Sequence, residues 1–223
     1  MSKSFHLVCS PARCIDLVTG ILDRRKQLHQ QNNTTDERPP LFVWEPNPSQ
    51  CNPEQLEKCR EALKHVDVVS PNQSELTAFF GVSAYPTGWL DREVIERCCK
   101  DWATSGIGGD GNGVVVVRAG KDGCFVAKGA LKFWLPAYHP SAEKVIDPTG
   151  GGNTFLGGLA VTLARGHSLT YAAMCGSIAA SFAIEQVGMP TLSQGPDGEL
   201  WNGERVVDRI IEYGARLREY IQR

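Results

Sequence analysis

One stretch constrains this chain more than any other: Val145-Ile146-Asp147-Pro148-Thr149-Gly150-Gly151-Gly152-Asn153-Thr154-Phe155-Leu156-Gly157-Gly158. Val145-Ile146 reads as the end of a strand and Asp147-Pro148-Thr149 as a turn. From Thr154 the apolar positions recur at helical spacing through Leu163. A glycine turn that opens a helix lines up free backbone N–H groups at the positive end of the helix dipole, which suits an anion. Glycine also lets a ligand approach the backbone closely. The same residues equally describe a plain tight turn between a strand and a helix.

The rest of the chain alternates strand and helix. Strands are predicted over 5–9, 41–44, 66–69, 114–117, 124–127 and 131–135. Helices are predicted over 12–30, from an Asn52 cap to 63, from Asn72 to 80, from Asp91 to about 105, over 154–163, from Ser168 to 186, and at the C-terminus. In the last, Val206, Ile210, Tyr213, Leu217 and Ile221 form the apolar face. Residues 29–40 and 191–203 read as loops. The run Val114 to Val117 is continuous and β-branched, as in a central parallel strand covered on both faces. The expected architecture is α/β: a doubly wound, mainly parallel sheet with helices on both faces, in a single domain over 1–223.

Composition narrows the partners. A net charge of -2 with no basic face argues against nucleic acid. No apolar run approaches a membrane span, and the first residues are too weakly apolar for a signal peptide. Eight cysteines are scattered without a Cys-x-x-Cys pair, as expected of reduced thiols in a cytoplasmic protein.

In order and spacing the 147–158 run resembles the second signature of the ribokinase (PfkB carbohydrate kinase) family, Asp-Thr-x-Gly-Ala-Gly-Asp followed by a Phe-x-Gly-Gly helix. Asp147, Gly150, Gly152, Phe155, Gly157 and Gly158 match. Pro148 and Gly151 replace a Thr and an Ala, and Asn153 stands where the family has its catalytic aspartate. Two further pieces occur in the family's order. Asn72-Gln73-Ser74-Glu75 resembles its Asn-x-x-Glu motif, although alone it also reads as a helix cap with a capping-box glutamate. Arg118-Ala119-Gly120-Lys121-Asp122-Gly123 resembles its Thr-x-Gly-x-x-Gly turn, with Arg118 in place of the Thr, and alone reads as a hairpin turn.

The resemblance implies an ATP-dependent kinase for a sugar or related small alcohol. Its nucleotide would lie against Asn72, Gly120, Gly123 and Asp147, with the transferred phosphate at Gly150, Gly151 and Gly152. Glu75 would hold Mg2+ or its waters. Asn153 cannot act as the base, so impaired turnover is expected, with a non-catalytic nucleotide-binding or interaction module as the alternative. Family members begin with further strands and a β lid that carry most sugar-binding residues. Nothing before Phe5 supplies them, so this chain is expected to be an N-terminally short form, with a sheet edge open to pairing in a homo-oligomer.

Overall fold

The computed structural model describes residues 1–33 and 38–221, Ile221 by its backbone only. It contains a six-stranded sheet in the order β1 (Ser4–Cys9), β2 (Leu41–Pro46), β3 (Val68–Val69), β4 (Val114–Arg118), β5 (Cys124–Lys128) and β6 (Leu131–Leu135). The first three pairings are parallel, with Phe5 opposite Phe42, Val43 opposite Val68 and Val69 opposite Val115. Each parallel step is bridged by helix: α1 (Pro11–Asn32), α2 (Leu56–Leu63), then α3 (Gln73–Phe79) and α4 (Arg92–Ser105). The mainly parallel α/β architecture read from the sequence is the one the chain adopts.

By its contacts the chain forms two compact units, residues 1–118 with 125–133, and residues 119–124 with 134–223. The core of the first is built from the inner faces of its helices. Val94, Ile95, Cys98, Cys99 and Trp102 of α4 are all buried, and Trp102 meets Phe79 edge-on at 5.5 Å between ring centroids. Val114 to Val117 are buried without interruption. Successive side chains point to opposite faces, so this strand is covered on both. Three of its helices start on side-chain caps as their sequences require: Ser10 for α1, Asn72 for α3 and Asp91 for α4.

The second unit is organised by α5 (Gly151–Ala164), α6 (Leu169–Ile184) and α7 (Val206–Ile221). A Cβ at Gly158 would stand 2.8 Å from the Cys175 carbonyl oxygen, and one at Gly176 2.9 Å from that of Phe155. Small residues therefore let α5 and α6 approach backbone to backbone. On α7 the inward residues are Arg209, Tyr213 and Leu217, four apart, whereas Val206 is 40% exposed. Arg209 is only 2% exposed. Its guanidinium lies 3.6 Å from the Phe182 ring centroid and bonds Glu185, Glu204 and Ser181. Tyr213 donates to the Pro136 carbonyl.

Three sequence expectations are corrected. Residues 145–147 form no strand. The N–H groups of Ile146 and Asp147 bond the Ile184 carbonyl at 2.8 and 3.2 Å, closing the C-terminus of α6 instead of extending a sheet. Residues 191–203 hold a hairpin, β7 (Leu192–Gly195) with β8 (Gly198–Trp201), turned at Pro196-Asp197. Helix α1 runs on to Asn32 through polar residues that are good helix formers, ending at Asn33 in the left-handed conformation. The rest of the predicted 29–40 loop includes residues 34–37, outside those described. All eight cysteines are free and seven are buried.

Gly123 and Gly120 give a sharp test of this packing. A Cβ at Gly123 would overlap the Leu135 carbonyl oxygen at a φ of +85°, while one at Gly120 meets nothing within 4 Å. Strain and overlap together predict that Gly123→Ala costs about 2–4 kcal/mol, against about 1 kcal/mol for Gly120→Ala. Urea denaturation midpoints check the order; equal costs would contradict the packing.

Candidate functional site

In the first unit, Asn72 and Glu75 come together because a strand end runs straight into a helix. Asn72 Oδ1 accepts the N–H groups of Ser74 and Glu75, each at 2.9 Å. Glu75 Oε2 accepts the Asn72 N–H at 2.8 Å and Oε1 its Nδ2 at 2.7 Å. This is a complete capping box. The backbone of Asn72 also bridges Arg118 as a parallel partner, and Arg118 N–H donates to the Pro71 carbonyl at 3.0 Å.

Arg118 completes the group. Its Nη2 lies 2.7 Å from Glu45 Oε1, 3.0 Å from the Ser70 carbonyl oxygen and 3.4 Å from Glu75 Oε2. His6 Nε2 is 3.1 Å from the other oxygen of Glu45. Burial opposes the charge on Glu45, but the His6 bond and the Arg118 guanidinium outweigh it and hold the carboxyl below its ordinary value. On Glu75 burial prevails over the Asn72 N–H and Arg118, and the carboxyl is raised. Sequence reading found Asn72, Glu75 and Arg118 but passed over Glu45. The available signal was an acidic residue closing a buried strand, in Trp44-Glu45-Pro46.

Of the two roles the resemblance implies for Glu75, holding Mg2+ or holding its waters, direct contact would compete with the guanidinium beside Oε2. Both carboxylate oxygens already hold donors, and one is shared with a guanidinium. A dication bound directly there would meet that positive charge at close range.

In the second unit, Asp147, Gly150, Gly151, Gly152 and Asn153 lie on one turn. Asp147 Oδ1 accepts the Thr149 N–H at 2.9 Å, which forms the bend. Bonds from the Thr149 hydroxyl and N–H hold the Asp147 carboxyl below its ordinary value. Gly150 is the N-cap of α5 in the left-handed conformation, at a φ of 82°, and no side chain caps this helix. Gly151 is buried, and a Cβ there would press within 2.8 Å of Ile184 Cγ2. The first turn of α5 carries no acidic residue. Asn153 is exposed beside it. Thr154 Oγ1 folds back on the carbonyls of Gly150 and Gly151 at 2.9 and 3.1 Å. The Gly151 N–H is taken by the Pro148 carbonyl at 3.2 Å, and the N–H groups of Gly152 and Asn153, which have no acceptor within the helix, are left to an outside one.

Gly120 and Gly123 sit on a separate short turn, where the Ala119 N–H reaches the Gly123 carbonyl at 2.7 Å. Gly123 is required there by Leu135 and Pro136.

A family description, pfkB family carbohydrate kinase, matches residues 30–194. Protein MAK32 of Saccharomyces cerevisiae is 34% identical over 94% of this chain and 56% of its own length. Inositol 3-kinase of Arabidopsis thaliana is 38% identical over 34% of this chain and 21% of its own. Among solved structures, phosphofructokinase-2 from Escherichia coli superposes with a TM-score of 0.60 at 16% identity, covering 84% of this chain and 52% of that one. A nucleoside kinase from Methanocaldococcus jannaschii gives 0.59 at 18% identity over 94% and 56%. These two likenesses show the fold. The chain spans little more than half the length of MAK32 and of both structures.

The Glu45 arrangement predicts a pH dependence. A carboxyl depressed on folding stabilises above its unfolded value, 4.5, and that contribution is lost as pH falls through the native value. Wild-type stability should therefore fall more steeply than that of Glu45→Gln between about pH 5 and pH 3. Equal slopes in denaturation series would contradict it.

Proposed function

Because this chain belongs to the pfkB family of carbohydrate kinases, we propose that it carries the nucleotide-phosphate part of an ATP-dependent phosphoryl-transfer site. The observation that carries this reading is the start of α5. It is a glycine turn with an exposed left-handed cap, no side-chain cap and no acidic residue in its first turn. The starts of α1, α3, α4 and α6 are filled by the side chains of Ser10, Asn72, Asp91 and Ser168; α2 also lacks a side-chain cap but carries Glu57 in its first turn. The family match runs through both compact units, which supports reading 1–223 as one PfkB-like domain.

In this reading Gly150 and Gly151 shape the turn, the Gly151 N–H being held by the Pro148 carbonyl, while Gly152 and Asn153 present their N–H groups to the terminal phosphate. They hold the charge that develops on it, which is most of what phosphoryl transfer asks of a protein. ATP supplies the phosphoryl group when bound. The acceptor is a hydroxyl of a sugar or related small alcohol, and Asp147, Gly120 and Gly123 of the second unit border the nucleotide. Asp147 is held in its turn by Thr149 and serves the geometry of the loop.

Asn153 sets the rate. A carboxamide cannot take a proton from the acceptor hydroxyl, and a general base contributes on the order of 10²–10⁴ in rate. Turnover is therefore slow. The same feature favours a second reading, a nucleotide-binding module without turnover.

Thermal unfolding with Mg-ATP tests the proposal. Binding to the native state should stabilise by about 2.7 kcal/mol at a hundredfold excess over Kd. Asn153→Asp adds a negative charge at the positive helix end, so without ligand it should gain about 0.3–1 kcal/mol. With ATP it should shift less than wild type, because that charge repels phosphate. No shift in the wild type would contradict the nucleotide site. Fast label transfer from ATP to a sugar by the Asn153 protein would contradict the impaired rate.

A further inference from the structure

We propose that Arg118 is the resident cation of the Glu45–Glu75 carboxylate pair. It replaces a divalent ion at the ends of β2, β3 and β4, and Glu75 acts as a positioning residue held by it.

Three independent features support this. The first is place. The Arg118 backbone is fixed beside Asn72 by a parallel bridge and by its N–H bond to Pro71, so its side chain starts at the mouth of the pair. The second is charge. Nη2 bonds Glu45 Oε1 at 2.7 Å and faces Glu75 Oε2 at 3.4 Å. The side chains of Arg118, Glu45 and Glu75 are 13%, 12% and 7% exposed, so the interaction is poorly screened by water. Two carboxylates this close and this buried need a positive partner, and the guanidinium supplies it with His6 on the far oxygen of Glu45. The third is occupancy. Each Glu75 oxygen holds an Asn72 donor, and the Ser70 carbonyl is taken by the same Nη2. Among the described residues, no group of three or more His, Cys, Asp and Glu could hold a metal ion.

The consequence is a chain that binds no divalent cation of its own at this position. An ion reaching the glycine turn does so on the nucleotide's phosphates. The probe below is the ion alone, so its result does not depend on whether nucleotide binds.

The test uses Mn2+ as a paramagnetic stand-in for Mg2+, with binding read by electron paramagnetic resonance on the nucleotide-free chain. Wild type should show no saturable site below about 1 mM. Arg118→Met keeps the apolar stem and removes the charge, exposing two carboxylates to the ion. It should bind Mn2+ at one site at least about tenfold more tightly than wild type, and adding Glu75→Gln should abolish the gain. If Arg118→Met does not fold, wild type and Glu75→Gln still decide the matter. A saturable wild-type site lost in Glu75→Gln would overturn the proposal, and no such site would support it. An Arg118→Met protein that folds and binds no tighter than wild type would also overturn it.

Discussion

Burial of a single arginine between carboxylates from distant parts of the chain is the constraint on which each compact unit depends. In the first unit Arg118 joins Glu45 at the end of β2, Glu75 on α3 and the Ser70 carbonyl after β3. In the second, Arg209 of α7 joins Glu185 at the end of α6 and Glu204 before α7, over the Phe182 ring. Such pairs add little net stability over an apolar replacement, because desolvation offsets most of the attraction. Removing one partner is far more costly, since it strands a buried charge. Their geometric effect is to fix which strand and helix ends meet, and the loops that follow those ends inherit that position.

The helix starts of the two units differ in a way that separates structure from binding. At α3 the donors are satisfied from within: Asn72 takes two N–H groups and Glu75 returns two acceptors. Nothing in that arrangement asks for a ligand. At α5 the cap is a left-handed glycine with no side chain to offer, on a turn shaped by Asp147 and closed against Ile184. Helix dipole and free N–H groups then coincide on one accessible patch. Two motifs of one resemblance thus differ in where their hydrogen bonds go.

Most of the fold was legible because each element announced itself locally. Val114 to Val117 read as a covered strand, and the caps at Asn72, Asp91 and Ser168 were read at the residues that form them. What escaped depended on tertiary partners. Val145-Ile146 has strand composition, but the Ile146 N–H is drawn to the Ile184 carbonyl and that of Val145 to Ala142. The 192–201 hairpin hid in polar, turn-rich residues whose alternation is weak. Glu45 and Arg209 are charged residues at positions that a period count assigns to solvent or ignores, and only their partners explain their burial. Glu75 was found by motif, but whether its oxygens were free could be seen only once Arg118 was in place.

The central claim is that the α5 start receives a phosphate. Backbone amide resonances of Gly152 and Asn153, followed by nitrogen-15 NMR through an ATP titration, test it most directly. The account predicts that both move saturably, with the same midpoint, and that the amides of Ser74 and Glu75, already bonded to Asn72, stay in place. Resonances of Gly152 and Asn153 that remain unchanged while others saturate would contradict it.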